Sequence, residues 1–181
     1  VGGSLSVNVH GRYIGEGPMI RSVHSFKLVL ADGTEKLVDS SNEPELFYAA
    51  IGGYGAVGVV TEVTLRLESN TKVKRFTQDM PVEHYNWFFK SEIRDNKQVV
   101  FHNADLFPPT YEQVRSVSWL KTEAPLTVHE RLIPENQDYW WQPRVADFIA
   151  SSSFGKGLRQ HVLEPILYSF DAVQWRNYEA S

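Results

Sequence analysis

Residues 44–67 read PELFYAAIGGYGAVGVVTEVTLRL and contain three local signals in succession. Pro44 falls in a first turn and apolar residues recur at helical spacing after it, which predicts a short helix over Glu43 to Ile51. Gly52 and Gly53 end that helix. Apolar and polar side chains then alternate, which predicts a half-buried strand from Val57 to Leu67.

The glycine cluster also matches the dinucleotide-binding pattern G-x-G-x-x-G, from Gly53 to Gly58. A Rossmann site needs a strand before the glycines and a helix after them, so that a pyrophosphate meets the helix N-terminus. Here the predicted order is reversed, and a NAD-binding protein would require a helix after Gly58. We therefore expect the glycines to form a tight turn or to let the backbone approach a cofactor.

The residues before the helix predict a β-hairpin. His24 to Leu30 and Glu35 to Val38 are two apolar runs, and Ala31-Asp32-Gly33 between them is a turn signal. Ser40-Ser41-Asn42 offers side-chain oxygens as N-caps for the helix that follows.

The N-terminal segment, VGGSLSVNVHGR over residues 1–12, carries the second group of glycines. Its alternating Leu5, Val7 and Val9 predict a loop that enters a strand. Glycines let main-chain N–H groups approach a flat ligand without Cβ clashes, and serine and asparagine add donors. An ordinary glycine-rich turn explains the same residues equally well.

A polar stretch, Glu68 to Thr71, separates two predicted domains, residues 1–68 and residues 72–181. Beyond it, strands and helices alternate. Strands are predicted over Lys72 to Gln78, Lys97 to Asp105, Val114 to Lys121 and Ala172 to Arg176, and helices over Pro81 to Ile93, Asn136 to Ala150 and Leu158 to Ser169.

Composition narrows the class of protein. Hydrophobic residues are 42% and charged residues 22%, which is typical of a packed globular chain. The net charge of -4 argues against nucleic-acid binding, and the absence of cysteine excludes disulfides and thiolate metal sites. No apolar run approaches the roughly 18 residues of a membrane span, and the cytoplasm is the default location.

Three blocks of the sequence together resemble a known family. They are residues 1–12, residues 22–33 (SVHSFKLVLADG) and residues 44–61, in this order and with tight spacing. This run resembles the second half of the PCMH-type FAD-binding domain of the vanillyl-alcohol oxidase superfamily. The resemblance implies an α+β fold, with a mixed sheet and short helices, followed by the beginning of an α/β substrate (cap) domain.

The resemblance also implies cofactor contacts. In that family the segment V-G-G-x-x-x-x-x-x-H-G lies along the FAD, and the strand after the glycine turn adds main-chain contacts. Carried over by motif, the FAD-binding residues are Val1, Gly2, Gly3, Ser4, Val7, Asn8, Val9, His10, Gly11 and Val59. The H-G-[KR] form is similar to that of sugar oxidases such as the decaprenylphosphoryl ribose and aldonolactone oxidases.

The implied reaction is oxidation of a CH–OH group of a sugar-like or polyhydroxy substrate, with hydride transfer to flavin N5. Arg12 is a candidate for holding a substrate oxygen, and no residue is identified as the catalytic base. The family's R-G-x-G-x-S pyrophosphate loop is absent, so the resemblance implies a fragment. Such a fragment is expected to be inactive alone, to bind FAD weakly and to self-associate; a non-catalytic structural or assembly module is the alternative.

The remaining motifs favour structural roles. His24, His84, His102, His129 and His161 lie at strand or helix positions without carboxylates at metal-ligand spacing, so no metal site is predicted. Tyr139-Trp140-Trp141 favours a core or interface cluster over a substrate pocket. Trp175 to Ser181 resembles the R-N-x-E strand of the family's substrate domain.

Overall fold

A computed structural model describes residues 1–134, 147, 149 and 153–181. The chain divides into two compact units, Val1–Ser69 and Asn70–Ser181. Most of the helix predicted over Asn136 to Ala150, and the Tyr139-Trp140-Trp141 cluster, lie outside the described residues. Within the described ranges, no helix combines the length and apolar character that a membrane span requires.

The first unit is built on a three-stranded antiparallel sheet. Its strands are β1 (Val23–Val29), β2 (Glu35–Asp39) and β3 (Val59–Leu65), in the order β2-β1-β3. The predicted hairpin is confirmed: β1 and β2 are joined by a turn in which Gly33 has φ +85° and Asp32 Oδ1 accepts the Thr34 N–H at 2.9 Å.

The sheet is antiparallel and not mixed, and the reason lies in the strand order. The connection that contains the helix α2 (Pro44–Ala50) links β2 to β3, and these two strands run in the same direction. Because β1 lies between them and is antiparallel to both, no parallel pair forms.

The helix and the strand of residues 44–67 are confirmed, and together with β1 and β2 they form the core of the first unit. Phe47 of α2 stacks on Phe26 of β1 with ring centroids 5.6 Å apart. Leu28 and Val38 are fully buried beneath them. Aromatic and aliphatic burial of this kind contributes roughly 1.5–3 kcal/mol per side chain, which fixes α2 against the sheet.

The predicted N-cap of α2 is wrong. Glu43 occupies that position in a left-handed conformation, φ 60°, and no side chain caps the helix. Asp39 instead accepts the backbone N–H groups of Ser41 and Asn42, both at 2.7 Å. The polar residues before α2 therefore close the β2–α2 loop, and these hydrogen bonds lower the pKa of the Asp39 carboxyl.

The strand predicted at the N-terminus is also wrong, because residues Gly2–Ser6 form a short helix, α1. Leu5 N–H donates to Val1 O at 3.0 Å and Val7 N–H donates to Gly3 O at 3.2 Å. The alternation of Leu5, Val7 and Val9 does not mark a shared face. Only Leu5 is buried, while Val7 and Val9 are 48% and 43% exposed.

The second unit contains a four-stranded antiparallel sheet in the order β5-β6-β4-β7, so it is α+β in class. Its elements, in chain order, are β4 (Lys72–Pro81), α3 (Val82–Phe88), a π-helical turn (Phe89–Ile93), β5 (Val99–Leu106), β6 (Gln113–Lys121), α4 (Ser153–Leu158), a second π-helical turn (Arg159–Leu163), α5 (Glu164–Ser169), β7 (Val173–Trp175) and α6 (Arg176–Ala180). The strands and helices predicted here among the described residues are confirmed, except at the C-terminus.

The C-terminal motif forms a helix where the resemblance predicted a strand. Strand β7 ends at Trp175, and α6 begins at Arg176. The Asn70 Oδ1 atom accepts the Asn177 N–H at 3.0 Å and so satisfies a donor of the first turn. A side chain from the start of the unit thereby stabilises the helical conformation.

Candidate functional site

The glycine turn between α2 and β3 is confirmed as a helix-to-strand connection. Gly52 and Gly55 have φ +83° and +79°, and Tyr54 lies in the same left-handed region at +52°. No helix follows Gly58, since β3 begins at Val59. The arrangement lacks the strand-before-helix order of a Rossmann site, so the turn has no helix N-terminus for a pyrophosphate.

Two glycines of the turn allow close backbone approach within the protein itself. A Cβ on Gly58 would lie 2.5 Å from the Val29 carbonyl oxygen and 3.1 Å from Leu28 Cδ1. A Cβ on Gly53 would overlap the Ala49 carbonyl oxygen. Gly53 and Gly58 are therefore required by packing of the turn against α2 and β1.

The structure brings the two glycine-bearing segments together. The Gly52 N–H donates to Leu5 O at 2.9 Å, and the Tyr54 N–H donates to Ser6 O at 3.1 Å. Leu5, the one buried residue of α1, packs into the core of the first unit. Segments separated by more than forty residues in the sequence thus form one continuous backbone surface.

Asn8 holds the loop that follows α1. It has φ +48°, and its Oδ1 accepts the Ile20 N–H at 3.0 Å. The Met19 N–H donates to Val9 O at 2.9 Å, and His10 pairs with Pro18 in an isolated bridge. The side-chain oxygen of Asn8 therefore has a structural partner, and its contact with FAD stays a prediction.

The N-terminal segment is open to solvent at Val1, Gly2 and Gly3. A Cβ built on Gly2 or Gly3 would meet no atom within 4 Å, so the backbone at both positions faces open space. Val1 is 74% exposed.

The other predicted contacts are also accessible. His10, Gly11 and Arg12 are exposed, and Ser4 is half-buried. Val59 is 66% exposed at the start of β3, just beyond the glycine turn. The structure holds the N-terminal segment and the turn together by backbone bonds, and contact of these residues with FAD stays a prediction.

The second unit contains an open pocket of about 450 Å³. The face of the sheet that carries Ser116 and Ser118 forms its floor, and α3 with its π-helical turn forms a wall. The lining residues are Phe76, Thr77, Gln78, Trp87, Phe88, Glu92, Ile93, Asn96, Val99, Ser116, Ser118 and Leu120.

A chain of hydrogen bonds, buried at His102 and Ser118 and half-buried at Tyr85, reaches this pocket at Ser118. The Tyr85 hydroxyl lies 2.7 Å from His102 Nε2, and the Ser118 hydroxyl lies 2.9 Å from His102 Nδ1. Burial lowers the pKa of His102 and raises that of Tyr85, so both side chains are neutral at pH 7. The imidazole thus links two hydroxyl groups and fixes the orientation of Ser118.

The opposite face of this sheet carries a buried ion pair. Arg115 donates to both carboxylate oxygens of Asp79, each at 2.7 Å, and its side chain is 5% exposed. The guanidinium also stacks on Phe107 and Tyr168, at 5.0 and 4.8 Å from the ring centroids. Such a bidentate pair links the neighbouring strands β4 and β6, and it occupies both carboxylate oxygens of Asp79.

Sequence reasoning missed both buried networks. The sequence predicts a structural role for His102 in a strand, and it does not distinguish Arg115 or Asp79 from other charged residues. The available signal is the presence of three polar residues, Arg115, Ser116 and Ser118, within the otherwise apolar middle of β6. Among the residues that the structure describes, no group of three or more histidine or acidic side chains could hold a metal ion.

Comparisons with known proteins identify the relatives of the chain. Cytokinin dehydrogenase 5 from Oryza sativa subsp. japonica is 36% identical over 69 residues, which are 38% of this chain and 13% of that protein. The mitochondrial L-galactono-1,4-lactone dehydrogenase of Brassica oleracea is 34% identical over 102 residues, 56% of this chain and 17% of that protein. Alditol oxidase from Streptomyces sp. (strain IKD472) is 26% identical over 193 aligned positions, covering 96% of this chain and 45% of that protein.

The chain is a relative of the FAD-linked oxidases. The resemblance seen in residues 1–67 is thereby confirmed, and FAD is the cofactor of this group of enzymes. No protein-family model matches the chain. The chain spans less than half the length of the relatives described above.

Proposed function

We propose that this relative of the FAD-linked oxidases is part of a flavin-dependent oxidoreductase that oxidises a CH–OH group of a sugar-like or polyhydroxy substrate. Residues 1–68 would form the C-terminal subdomain of a PCMH-type FAD-binding domain, and residues 72–181 part of the substrate domain. One observation carries the proposal: the exposed Gly2-Gly3 backbone is fixed to the glycine turn by the bonds of Leu5 and Ser6.

In this proposal the protein supplies position and donors for the cofactor. FAD, when bound, supplies a two-electron acceptor that takes hydride from the substrate carbon while the hydroxyl proton passes to a base. The open backbone at Gly2 and Gly3 would lie along the flavin, and His10 is available as a donor near its polar edge. Arg12 would hold a substrate oxygen, and no residue is assigned as the base.

The pocket of the second unit supports a hydroxylated, uncharged substrate. Its lining offers hydroxyl and amide groups from Ser116, Ser118, Gln78 and Asn96. Among the described residues it carries one acidic side chain, Glu92, and no lysine or arginine. Trp87 provides an aromatic wall. Sugars and polyols are recognised by such planar polar side chains beside aromatic faces, whereas a carboxylate or phosphate would require a cation.

Calorimetric titrations of the protein with FAD and, as the control ligand, with NAD test the proposal. We expect saturable binding of FAD, of micromolar strength or weaker, because the pyrophosphate loop is absent from residues 1–181. The absence of FAD binding by the folded protein would support the alternative of a non-catalytic structural or assembly module. Binding of NAD in place of FAD would contradict the proposal.

The cytoplasm remains the expected location, although the lactone dehydrogenase of Brassica oleracea is named as mitochondrial.

A further inference from the structure

A second pocket, in the first unit, brings two arginine side chains together. It measures about 490 Å³, and Arg21 and Arg66 line it together with Glu16, Ser40 and Tyr48. Phe47 and Val23 of the hydrophobic core lie at its base. None of these residues belongs to the segment proposed to contact FAD, so the pocket requires a separate explanation.

The backbone explains why the two arginines meet. Arg21 ends a 3-10 turn (Met19–Arg21) that leads into β1, and Val23 of β1 pairs with Leu65 of β3. The Arg66 N–H donates to Ser22 O at 2.8 Å, which extends this pairing by one step. Arg66 is therefore held beside the residue that follows Arg21, and both arginines, which are exposed, line the same pocket.

The charges in this pocket are unbalanced. Among the described residues, neither the Arg21 nor the Arg66 side chain makes an ion pair or a hydrogen bond within the limits of 4.0 and 3.5 Å. Glu16 is the one acidic residue in the lining, against two cations. Like charges on neighbouring chain segments repel each other, so a bound anion would relieve this repulsion.

A glycine makes room for one of the arginines. Gly17 has φ +69°, and a Cβ at this position would lie 2.8 Å from Arg21 Cδ. The His10–Pro18 bridge fixes the same loop. The side chain of Arg21 therefore packs against Gly17, and a Cβ at that position would displace it.

We propose that this pocket binds a small oxyanion, a phosphate or a carboxylate. The planar guanidinium fork matches the oxygens of either group, and the hydroxyls of Ser40 and Tyr48 add neutral donors. With Glu16 ionised, the lining carries one net positive charge. The apolar base formed by Phe47 and Val23 keeps water from solvating the bound anion from below.

Calorimetric titration of the protein with inorganic phosphate, and separately with acetate, tests this site at ionic strength held constant with NaCl. We expect saturable binding of at least one anion, weakened at least about tenfold in Arg66→Gln and in Arg21→Gln. The control Arg94→Gln removes an arginine that is paired only with its neighbour Asp95, and it should bind like the wild type. Preference for phosphate or for acetate assigns the class of anion.

Two further variants separate a built site from scattered surface charge. Gly17→Ala removes no charge but displaces Arg21, so binding should weaken, whereas Glu16→Gln removes the acidic group and should tighten binding. Equal affinity in the wild type, Arg21→Gln and Arg66→Gln would overturn the proposal. Failure of both anions to bind the folded wild-type protein would overturn it as well.

Discussion

Substitution of Gly58 by alanine tests the architectural role of the glycine turn. The added Cβ would lie 2.5 Å from the Val29 carbonyl oxygen, whereas ordinary contact begins at 3.4 Å, so the two groups must separate by about 0.9 Å. The second neighbour, Leu28, is fully buried in the core, where close packing resists its movement. The strain must therefore fall on the backbone.

The magnitude follows from the position of Val29 in the sheet. Val29 pairs with Val59 at the first rung of the β1–β3 ladder, so displacement of its carbonyl disturbs that rung. Overpacking a well-packed site costs about 1–3 kcal/mol, and a weakened hydrogen bond about 0.5–1.5 kcal/mol. We expect Gly58→Ala to lower the free energy of unfolding by about 3 kcal/mol, a large share of the roughly 5–15 kcal/mol typical of domains.

Gly55→Ala is the matched control for this substitution. Gly55 lies in the same turn with φ +79°, but a Cβ there meets no atom within 4 Å. Only the left-handed backbone is strained, at roughly 1–2 kcal/mol. Urea unfolding followed by far-UV circular dichroism measures both variants. Wild-type stability in Gly58→Ala, or a larger loss in Gly55→Ala than in Gly58→Ala, would refute the reasoning.

Three further predictions concern the networks and surfaces of the two units. Asp79→Asn should destabilise the protein by about 1–3 kcal/mol in urea unfolding, because it leaves the buried charge of Arg115 without its partner. The loss is moderate because Asp79 is half-exposed and solvent already screens its charge. The control Asp95→Asn, at an exposed pair, should change stability by less than about 0.5 kcal/mol. His102 has a pKa below its ordinary 6.5, so its contribution to stability is fully present above that pH and is lost as the pH falls. Urea unfolding between pH 5 and 8 should therefore show a smaller pH dependence of the unfolding free energy in His102→Gln. An unchanged pH dependence would contradict the assignment. Val59 is 66% exposed, and Val1, Val7 and Val9 are exposed as well. Light scattering should therefore give a mass above the 20.7 kDa of one chain, decreasing in Val59→Ser, and a strict monomer would contradict self-association.

The elements predicted correctly are those with strong local signals. The β1–β2 hairpin has its Asp-Gly turn, and α2 and β3 have clear periodicity, so neighbouring residues alone determine them. Helix α1 could not be predicted in this way because Gly2, Gly3 and Ser4 favour helix weakly and Leu5, Val7 and Val9 mimic a strand. The bonds from the glycine turn to Leu5 and Ser6 stabilise it, and these depend on the folded unit.

The candidate site likewise combines features that the local sequence predicts with features that depend on the folded structure. The glycine-bearing segments could be recognised from their composition, but their contact required the three-dimensional fold. The Tyr85–His102–Ser118 chain depends on the register of β5 against β6, which includes an irregularity between Val99 and Phe101. A local pattern does not encode such a shift, because one extra residue moves every later side chain to the opposite face.

Titration of the wild type and of Gly3→Val with FAD tests the central claim most directly. A Cβ at Gly3 would meet no atom within 4 Å, so the variant should unfold at the wild-type urea concentration. Gly157→Val, at a glycine in α4 with equally open surroundings, is the control for added apolar surface. We predict saturable FAD binding by the wild type and by Gly157→Val, and at least about tenfold weaker binding by Gly3→Val, because the added side chain occupies the space of the cofactor. Equal FAD affinity in Gly3→Val and the wild type, or no FAD binding by the folded wild type, would contradict the account.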